Sequence, residues 1–276
     1  MSKMTNRKQL FEFEDFHWFP NWIRVSTTNL LAVLQRFLGI KEILLDLIID
    51  LKNMNNIDQI IDIGSGSGGV MISVVDELNS RTKTKKVKLL LTDLYPNEKV
   101  VNEINNQNNP YIEYNREKLD AENLYQTPKG LKTLINCFHH INPKKAAKLL
   151  KSCQENNEII LIYEMGTHFL PFIVWLLILP LSLAVNFISA LILTPFCKPL
   201  TFGQLIFTYL IPIIPVCYAW DGQASLARIY SERDIKSLLI GLEKSSYNWM
   251  IKPGISKNGK KLGYCIIGYP LASGDH

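Results

Sequence analysis

The sequence is poor in several things at once. It has five cysteines, Cys137, Cys153, Cys197, Cys217 and Cys265, widely scattered and with no CxxC pair. An odd number in that arrangement excludes a disulfide framework and a cysteine-based structural zinc site, and it fits a reducing compartment; no metal is expected. Net charge is low, at a formal +5, and no run interleaves Lys and Arg with aromatics, which argues against nucleic acid as a partner. The short basic patch "RTKTKKVK" at 81–88 reads as a solvated turn between a helix and a strand. The opening stretch "MSKMTNRKQLFEFED" has no apolar h-region, so a cleaved signal peptide is not expected. Repeats and low-complexity linkers are missing from the 276 residues, a length that suits one large domain or a domain with an embellishment.

Charge vanishes altogether between Glu164 and Lys198, and the apolar residues concentrate in the block 165–220. Residues 169–193 form a run whose clearly polar members are Ser182, Asn186 and Ser189. At about 1.5 Å per residue such a run crosses a hydrocarbon core of about 30 Å. A second run, 205–220, contains Pro212 and Pro215. A soluble core helix of this length shows a polar face, and neither run does. Two passes return the chain to the side it left. Tyr218 and Trp220 stand at the second exit as interfacial aromatics do, and Lys144, Lys145, Lys148, Lys151, Arg228 and Arg233 put positive charge on the side of the flanking sequence. The prolines at 171, 180, 195, 199, 212 and 215 suit either two kinked spans or a re-entrant hairpin. The expectation is a hydrophobic helical hairpin over 166–220 embedded in the lipid bilayer, with the rest of the chain at the cytoplasmic face of the inner membrane. A hydrophobic dimer interface or a buried lid is the alternative; the oligomeric state is not legible.

Outside that block, strands and helices alternate. "IDQIIDIGSG", "KVKLLLTDLYP", "YIEYNREKLD", "LKTLINCFHHI" and "EIILIYEM" read as successive strands, separated by helical patterns such as "GGVMISVVDELNS" and "NEKVVNEINNQN". "PKKAAKLLKSCQEN" carries Pro143 near a helix start, and Ser231 with Asp234 three residues on forms a near-capping box. "YNWMIKPGIS" and "KKLGYCIIGYP" suit a closing antiparallel pair. Such alternation implies an α/β fold with a largely parallel sheet covered on both faces. Upstream, "STTNLLAVLQRFLGIKEILLDLIIDLKN" reads as one or two amphipathic helices with Leu30, Leu34, Phe37, Leu38, Leu44 and Leu47 facing the core. The division expected is an N-terminal helical cap or lid over 1–56, a cofactor-binding domain over 57–165 and 221–276, and the hairpin between its halves.

The main chemical signal is "IIDIGSGSGGVM", where Gly64, Gly66, Gly68 and Gly69 fall at a strand-to-helix turn and let the backbone approach a ligand. Gly64, Gly66 and Gly69 also satisfy the dinucleotide spacing GxGxxG, so a nicotinamide cofactor stays open. Three acids favour S-adenosylmethionine instead. Asp62, two residues before the first glycine, suits a cationic cofactor better than a pyrophosphate. Asp93 ends the second strand, placed for ribose hydroxyls, and Asp120 in "KLDAENL" is placed for an adenine amino group.

"DIGSGSGG", "LTDLYPN", "LDAENL" and "LINCFHHI", in that order, resemble the class I S-adenosylmethionine-dependent methyltransferases, over roughly 57–165 and 221–270. The resemblance implies a Rossmann-like seven-stranded sheet with an antiparallel last strand. It implies that Asp62 and the glycines, with Ser65, line the methionine side of the cofactor, that Asp93 holds the ribose with Leu94 beside it, and that Asp120 and Ala121 contact adenine, with Cys137 nearby.

Methyl transfer needs a base only where the acceptor must lose a proton. His139 and His140 follow the fourth strand at the ligand-binding rim and are candidate bases; a turn-capping His140 and a His139 packed beside the cofactor are the alternative. Glu164, ending the fifth strand at the same rim, is a third catalytic candidate that either orients a substrate amine or pairs with a neighbouring Arg or Lys. The aromatic and acidic segment "FEFEDFHWFPNWIR" suggests a lid bearing Glu14, Asp15, His17 and Trp18, or ordinary packing by Trp18 and Trp22. The acceptor expected at a membrane-held site is lipophilic or a small molecule. A Rossmann-type NAD(P)-dependent oxidoreductase and a non-catalytic membrane-anchored sensor are the alternatives.

Overall fold

The computed structural model describes residues 7–82, 85–167 and 171–271. The outermost ends of the expected N- and C-terminal domains, two residues of the basic patch and the first residues of the apolar run lie outside these.

Seven strands form one mixed sheet in the order β3-β2-β1-β4-β5-β7-β6. They are β1 (Gln59–Ile63), β2 (Lys88–Thr92), β3 (Ile112–Tyr114), β4 (Leu131–Ile135), β5 (Ile159–Glu164), β6 (Tyr247–Ile255) and β7 (Lys261–Pro270). The first five run parallel, and β7 inserts antiparallel between β5 and β6. The apolar strands read as near-continuous hydrophobic runs because both faces are covered. On one face Ile60, Leu161, Tyr163, Cys265 and Ile267 pack against α2 (Ile40–Met54), α3 (Met71–Arg81) and α4 (Glu98–Asn105). On the other, Ile61, Ile160, Ile162 and Ile266 pack against α5 (Pro143–Glu155) and, beyond it in the chain, α9 (Glu232–Leu239). Alternate residues of one strand thus serve opposite layers, the period-2 geometry of a pleated chain.

Helix starts follow local chemistry. The Asn97 side chain accepts from the Lys99 and Val100 amides at α4, and Asn142 caps α5 ahead of Pro143. Ser231 and Asp234 form a reciprocal box at α9.

The upstream helical region divides at Gly39 (φ 72°) into α1 (Asn21–Leu38) and α2. Leu30 and Leu44 are buried as expected, whereas Phe37 is exposed and packs edge-on to Phe196.

After β5 the chain leaves the sheet. Helix α6 (Phe172–Leu193) carries Pro180 internally and, with a short 3-10 turn, gives an apolar helical stretch Phe172–Phe196 of which 11% of the most apolar window is buried. Ile173, Leu177 and Leu181 are each at least 70% exposed. The returning limb departs from a simple second helix. It comprises α7 (Phe202–Leu205), a π-helical turn Ile206–Leu210 and α8 (Ile213–Arg228), with a 78° bend ahead of α8. Pro212 at the bend supplies no amide to continue the ladder. Helix α8 runs unbroken across the boundary expected at 220/221. Its last residue, Arg228, is buried rather than a free flanking charge. The base of the insertion packs on α1 through Phe19, Ile23, Leu30, Val33, Ala190, Leu193, Ile214 and Cys217.

Candidate active site

The loop after β1 reaches α3 through left-handed backbone at Gly64 (φ 72°) and Gly66 (φ 55°). A Cβ at Gly64 would lie 3.1 Å from Cys137 Sγ, and one at Gly66 would lie 3.2 Å from Thr28 of α1. The Gly66 amide donates to Asp93 Oδ2 at 2.8 Å, and the Gly66 carbonyl accepts from the Tyr114 hydroxyl at 2.8 Å. The loop is therefore held open by β2 and β3.

It borders a cavity of about 410 Å³ at the carboxyl ends of the parallel strands. Asp62, Gly64, Ser65, Gly66, Asp93, Leu94, Asp120, Ala121 and Cys137 all line it. Gly68 is the exception among the expected cofactor residues. With φ 93° and Ile72 Cδ1 2.6 Å from its would-be Cβ, it shapes the turn beneath the helix start. Ser65 spends its hydroxyl inward, donating to Asp62 Oδ2 at 2.7 Å. Asp62 also accepts from Thr133 Oγ1 at 2.7 Å; burial pushes its carboxyl up to about 6 against these bonds. Both Asp93 oxygens accept backbone amides, from Gly66 and Tyr95, and Asp120 caps the short helix after it through the Glu122 amide. A carboxylate has about four lone-pair sites, so each retains capacity for a ligand hydroxyl or amine. Burial raises the Cys137 thiol well above its ordinary range, which leaves it protonated.

Helix α1, within the expected N-terminal cap, forms one wall of this cavity through residues the sequence did not single out. Arg24, Thr28 and Gln35 face it, as do Tyr95 and Asn97. The sequence signal for Arg24, Thr28 and Gln35 is polar residues recurring along an otherwise amphipathic helix, and Tyr95 and Asn97 belong to the "LTDLYPN" motif.

A second cavity of about 240 Å³ adjoins the first, with Glu14, Thr28, Leu31, Asn136 and His140 shared between them. His139 and Glu164, both buried, line it. Glu164 pairs with His139 instead of an Arg or Lys: Oε2 lies 2.8 Å from His139 Nδ1, and Oε1 accepts the His139 amide at 3.0 Å. The Glu164 contact assigns Nδ1 as the donor, and Nε2 lies 3.8 Å from Glu12 Oε1. Nε2 has no hydrogen-bond partner among the described residues.

His140 does different work. Its Nδ1 lies 3.0 Å from Asp15, and its Nε2 lies 3.2 Å from Glu14 and 3.6 Å from Glu12. Burial opposes its charge, but Glu12, Asp15 and Glu14 outweigh burial and hold the imidazolium well above its ordinary range. Arg228 joins the cluster, donating to Glu12 at 2.8 Å and Asp15 at 2.6 Å. Glu12, Asp221 and Arg228 were not singled out for the site, because their partners lie some two hundred residues away in sequence.

Of the expected lid, Glu14 and Asp15 line the first cavity. His17 sits edge-on to Tyr95 outside the lining, and Trp18 is 68% exposed, stacked on Phe16. The segment is pinned by Trp220 Nε1 donating to the Phe11 carbonyl and by the Phe13 amide donating to Asp221 Oδ1 at 2.7 Å.

Ligand-type atoms of Glu12, His139 and His140 lie within 4.8 Å of one another, a grouping the sequence did not suggest. The positive charge there comes from the protein itself, in Arg228 and the His140 imidazolium.

The sheet order, with its antiparallel β7, decides the architecture. This is the class I methyltransferase fold. No protein-family model and no curated protein matches the sequence. Among solved structures the chain is similar to the plantazolicin methyltransferase BpumL in complex with SAH, at 12% identity over 91% of this chain and 84% of that one (TM-score 0.47). It is also similar to the plantazolicin methyltransferase BamL, at 12% identity over 94% and 87% (TM-score 0.44). The mitomycin 7-O-methyltransferase MmcR matches at 11% identity over 90% and 54% (TM-score 0.42).

Proposed function

We propose that the chain is an S-adenosylmethionine-dependent methyltransferase held at a membrane by its own insertion. The observation that carries the first half is the charge of the larger cavity. Glu14, Asp15, Asp62, Asp93, Asp120 and Glu122 face it, against Arg24, Lys145 and His140. An excess of carboxylates around a glycine loop favours a cationic sulfonium nucleoside and disfavours a dinucleotide pyrophosphate. Asp62 with the loop would hold the amino-acid end, Asp93 the ribose, and Asp120 with Ala121 the adenine. When bound, S-adenosylmethionine supplies an electrophilic methyl: the acceptor's lone pair forms the new bond, and the electrons of the broken carbon–sulfur bond stay on sulfur.

In this reading the second cavity takes the acceptor. His139 Nε2 is the general base, with Glu164 fixing its tautomer and supporting the imidazolium that forms. His140 is a positioning residue that ties the N-terminal segment over both cavities. Calorimetry with S-adenosylmethionine, S-adenosylhomocysteine and NADH tests the cofactor. Micromolar binding of the sulfonium compound is expected; NADH binding without it sinks the proposal, and binding without any S-adenosylhomocysteine formation leaves a sensor.

The membrane half rests on α6, whose exposed apolar surface continues onto Phe202 and Leu210 of the returning limb. Patches of this extent mark contact with a partner or a membrane. The 78° break favours a re-entrant or broken second limb. Because the insertion leaves directly after Glu164, lipid would lie beside the acceptor cavity, which suits a lipophilic acceptor.

A further inference from the structure

The acceptor cavity is rich in carboxyl groups and poor in cations. Glu12, Glu14, Glu164 and Asp221 line it, and among the described residues no lysine or arginine does. Arg228 reaches Glu12 and Asp15 from outside the lining, His140 serves Glu14 and Asp15, and His139 serves Glu164. That leaves Asp221. Its side chain is buried in the angle between α8 and the N-terminal segment, with Oδ1 accepting the Phe13 amide. Its Oδ2 has no hydrogen-bond partner among the described residues.

Two buried polar atoms, Asp221 Oδ2 and His139 Nε2, therefore border one cavity without a hydrogen-bond partner among the described residues. Leaving such groups unsatisfied is costly, so a bound group that hydrogen-bonds both is favoured there. The remaining lining is hydrocarbon: Leu31, Leu34, Met165, Leu226 and Ile229.

Building on the methyltransferase reading above, we infer that the acceptor is a primary or secondary amine on an apolar body. It enters as an ammonium, with Asp221 as its counter-ion and His139 as its proton acceptor. An ammonium brings the missing positive charge and several N–H donors, which an alcohol or a carboxylate cannot do. It must lose one proton before nitrogen has a lone pair. That proton passes to His139 Nε2 and then to water, so each turnover converts ammonium to N-methylammonium and releases one proton. Burial pushes the Asp221 carboxyl up to about 8, so near neutrality the empty cavity holds it protonated; the ammonium displaces that proton to water on binding, Asp221 regains it on product release, and the balance per turnover is unchanged.

The test is calorimetry on the full chain in non-ionic detergent, saturated with S-adenosylhomocysteine, using octylamine, 1-octanol and octanoate as probes. Octylammonium is expected to bind at least tenfold more tightly than octanol, with octanoate weakest. Asp221→Asn is expected to remove at least tenfold of the amine's affinity while leaving octanol's unchanged. With S-adenosylmethionine, N-methyloctylamine and S-adenosylhomocysteine should appear together. Equal binding of amine and alcohol by the unaltered protein, or O-methylation of octanol in preference, overturns the amine assignment and leaves the methyltransferase reading standing. Failure of S-adenosylhomocysteine to bind at all overturns both.

Discussion

Glu164 grips His139 twice, at the ring through Nδ1 (2.8 Å) and at the backbone through the amide (3.0 Å). A carboxylate bound in this way fixes both the position and the tautomer of the imidazole. His139→Ala is expected to lower kcat by about 10²–10⁴-fold with cofactor affinity nearly unchanged. Glu164→Gln keeps the size but weakens the tautomer preference, and a loss of about tenfold or more is expected. Initial rates of S-adenosylhomocysteine release, set beside cofactor titrations, separate the two quantities; a large change in cofactor affinity with unchanged kcat would contradict the assignment.

Asp62 sets a pH dependence for cofactor binding. Buried and pushed up to about 6, its carboxyl gains a proton as pH falls below that value and then no longer attracts a sulfonium nucleoside. Affinity for S-adenosylmethionine should be flat above pH 7 and decline through pH ~6, and in Asp62→Asn it should be lower by about tenfold and lack this step. The stability effect has the opposite sign. Because the folded chain takes up this proton more readily than the unfolded chain, ionised Asp62 destabilises the free protein at neutral pH. Asp62→Asn should therefore raise the melting temperature of the ligand-free form.

The cluster around His140 predicts a stability window. The imidazolium, raised above its ordinary 6.5, contributes stability in full below that value and loses it as pH rises through the raised pKa. Asp15 is depressed: burial works against its charge, but His140 and Arg228 outweigh burial, so its contribution holds above the ordinary 3.8 and is lost only in stronger acid. His140→Gln should lower Tm at pH 6 by roughly 5 °C, in keeping with the cost of breaking a buried ion pair. The gap from the unaltered protein should narrow toward pH 10. A gap independent of pH would mean that His140 acts by packing alone.

The exposed face of α6 gives the membrane reading its own trial. Leu177 and Leu181 are 76% and 70% exposed, so Lys at both should leave the fold intact while costing about 3 kcal/mol per charge at the centre of a span. The unaltered chain should float with liposomes, and the double variant should remain in the soluble fraction with an unchanged far-ultraviolet spectrum. Sedimentation of both as soluble dimers would instead assign the face to a second copy.

Much of this was readable along the chain because the controlling interactions are local. A glycine with positive φ, an acid two residues before it, a proline at a helix start and a serine–aspartate box all act within a few residues. Eight of the cofactor positions expected besides Asp62 line the cavity: Gly64, Ser65 and Gly66 sit in the local turn, and the order of parallel strands brings Asp93, Leu94, Asp120, Ala121 and Cys137 to it. Gly68 lies outside the lining, since glycine spacing marks the turn without saying which glycine faces the cavity. Arg228 misled because a cation beside an apolar run reads as a flanking charge until its burial partner is known.

The sequence by itself determined the strand alternation, the glycine loop with its three acids, and the charge-free block, since each follows from neighbour chemistry or from hydrophobic period. Tertiary structure alone decided that Glu12, Asp15, His140 and Arg228 form one ion cluster, and that Asp221 is buried at the second cavity beside the segment it pins. The reason is physical. Long-range ion pairs are fixed by which surfaces are excluded from water together, and that exclusion is settled only when α1, α8 and the N-terminal segment close over the edge of the sheet.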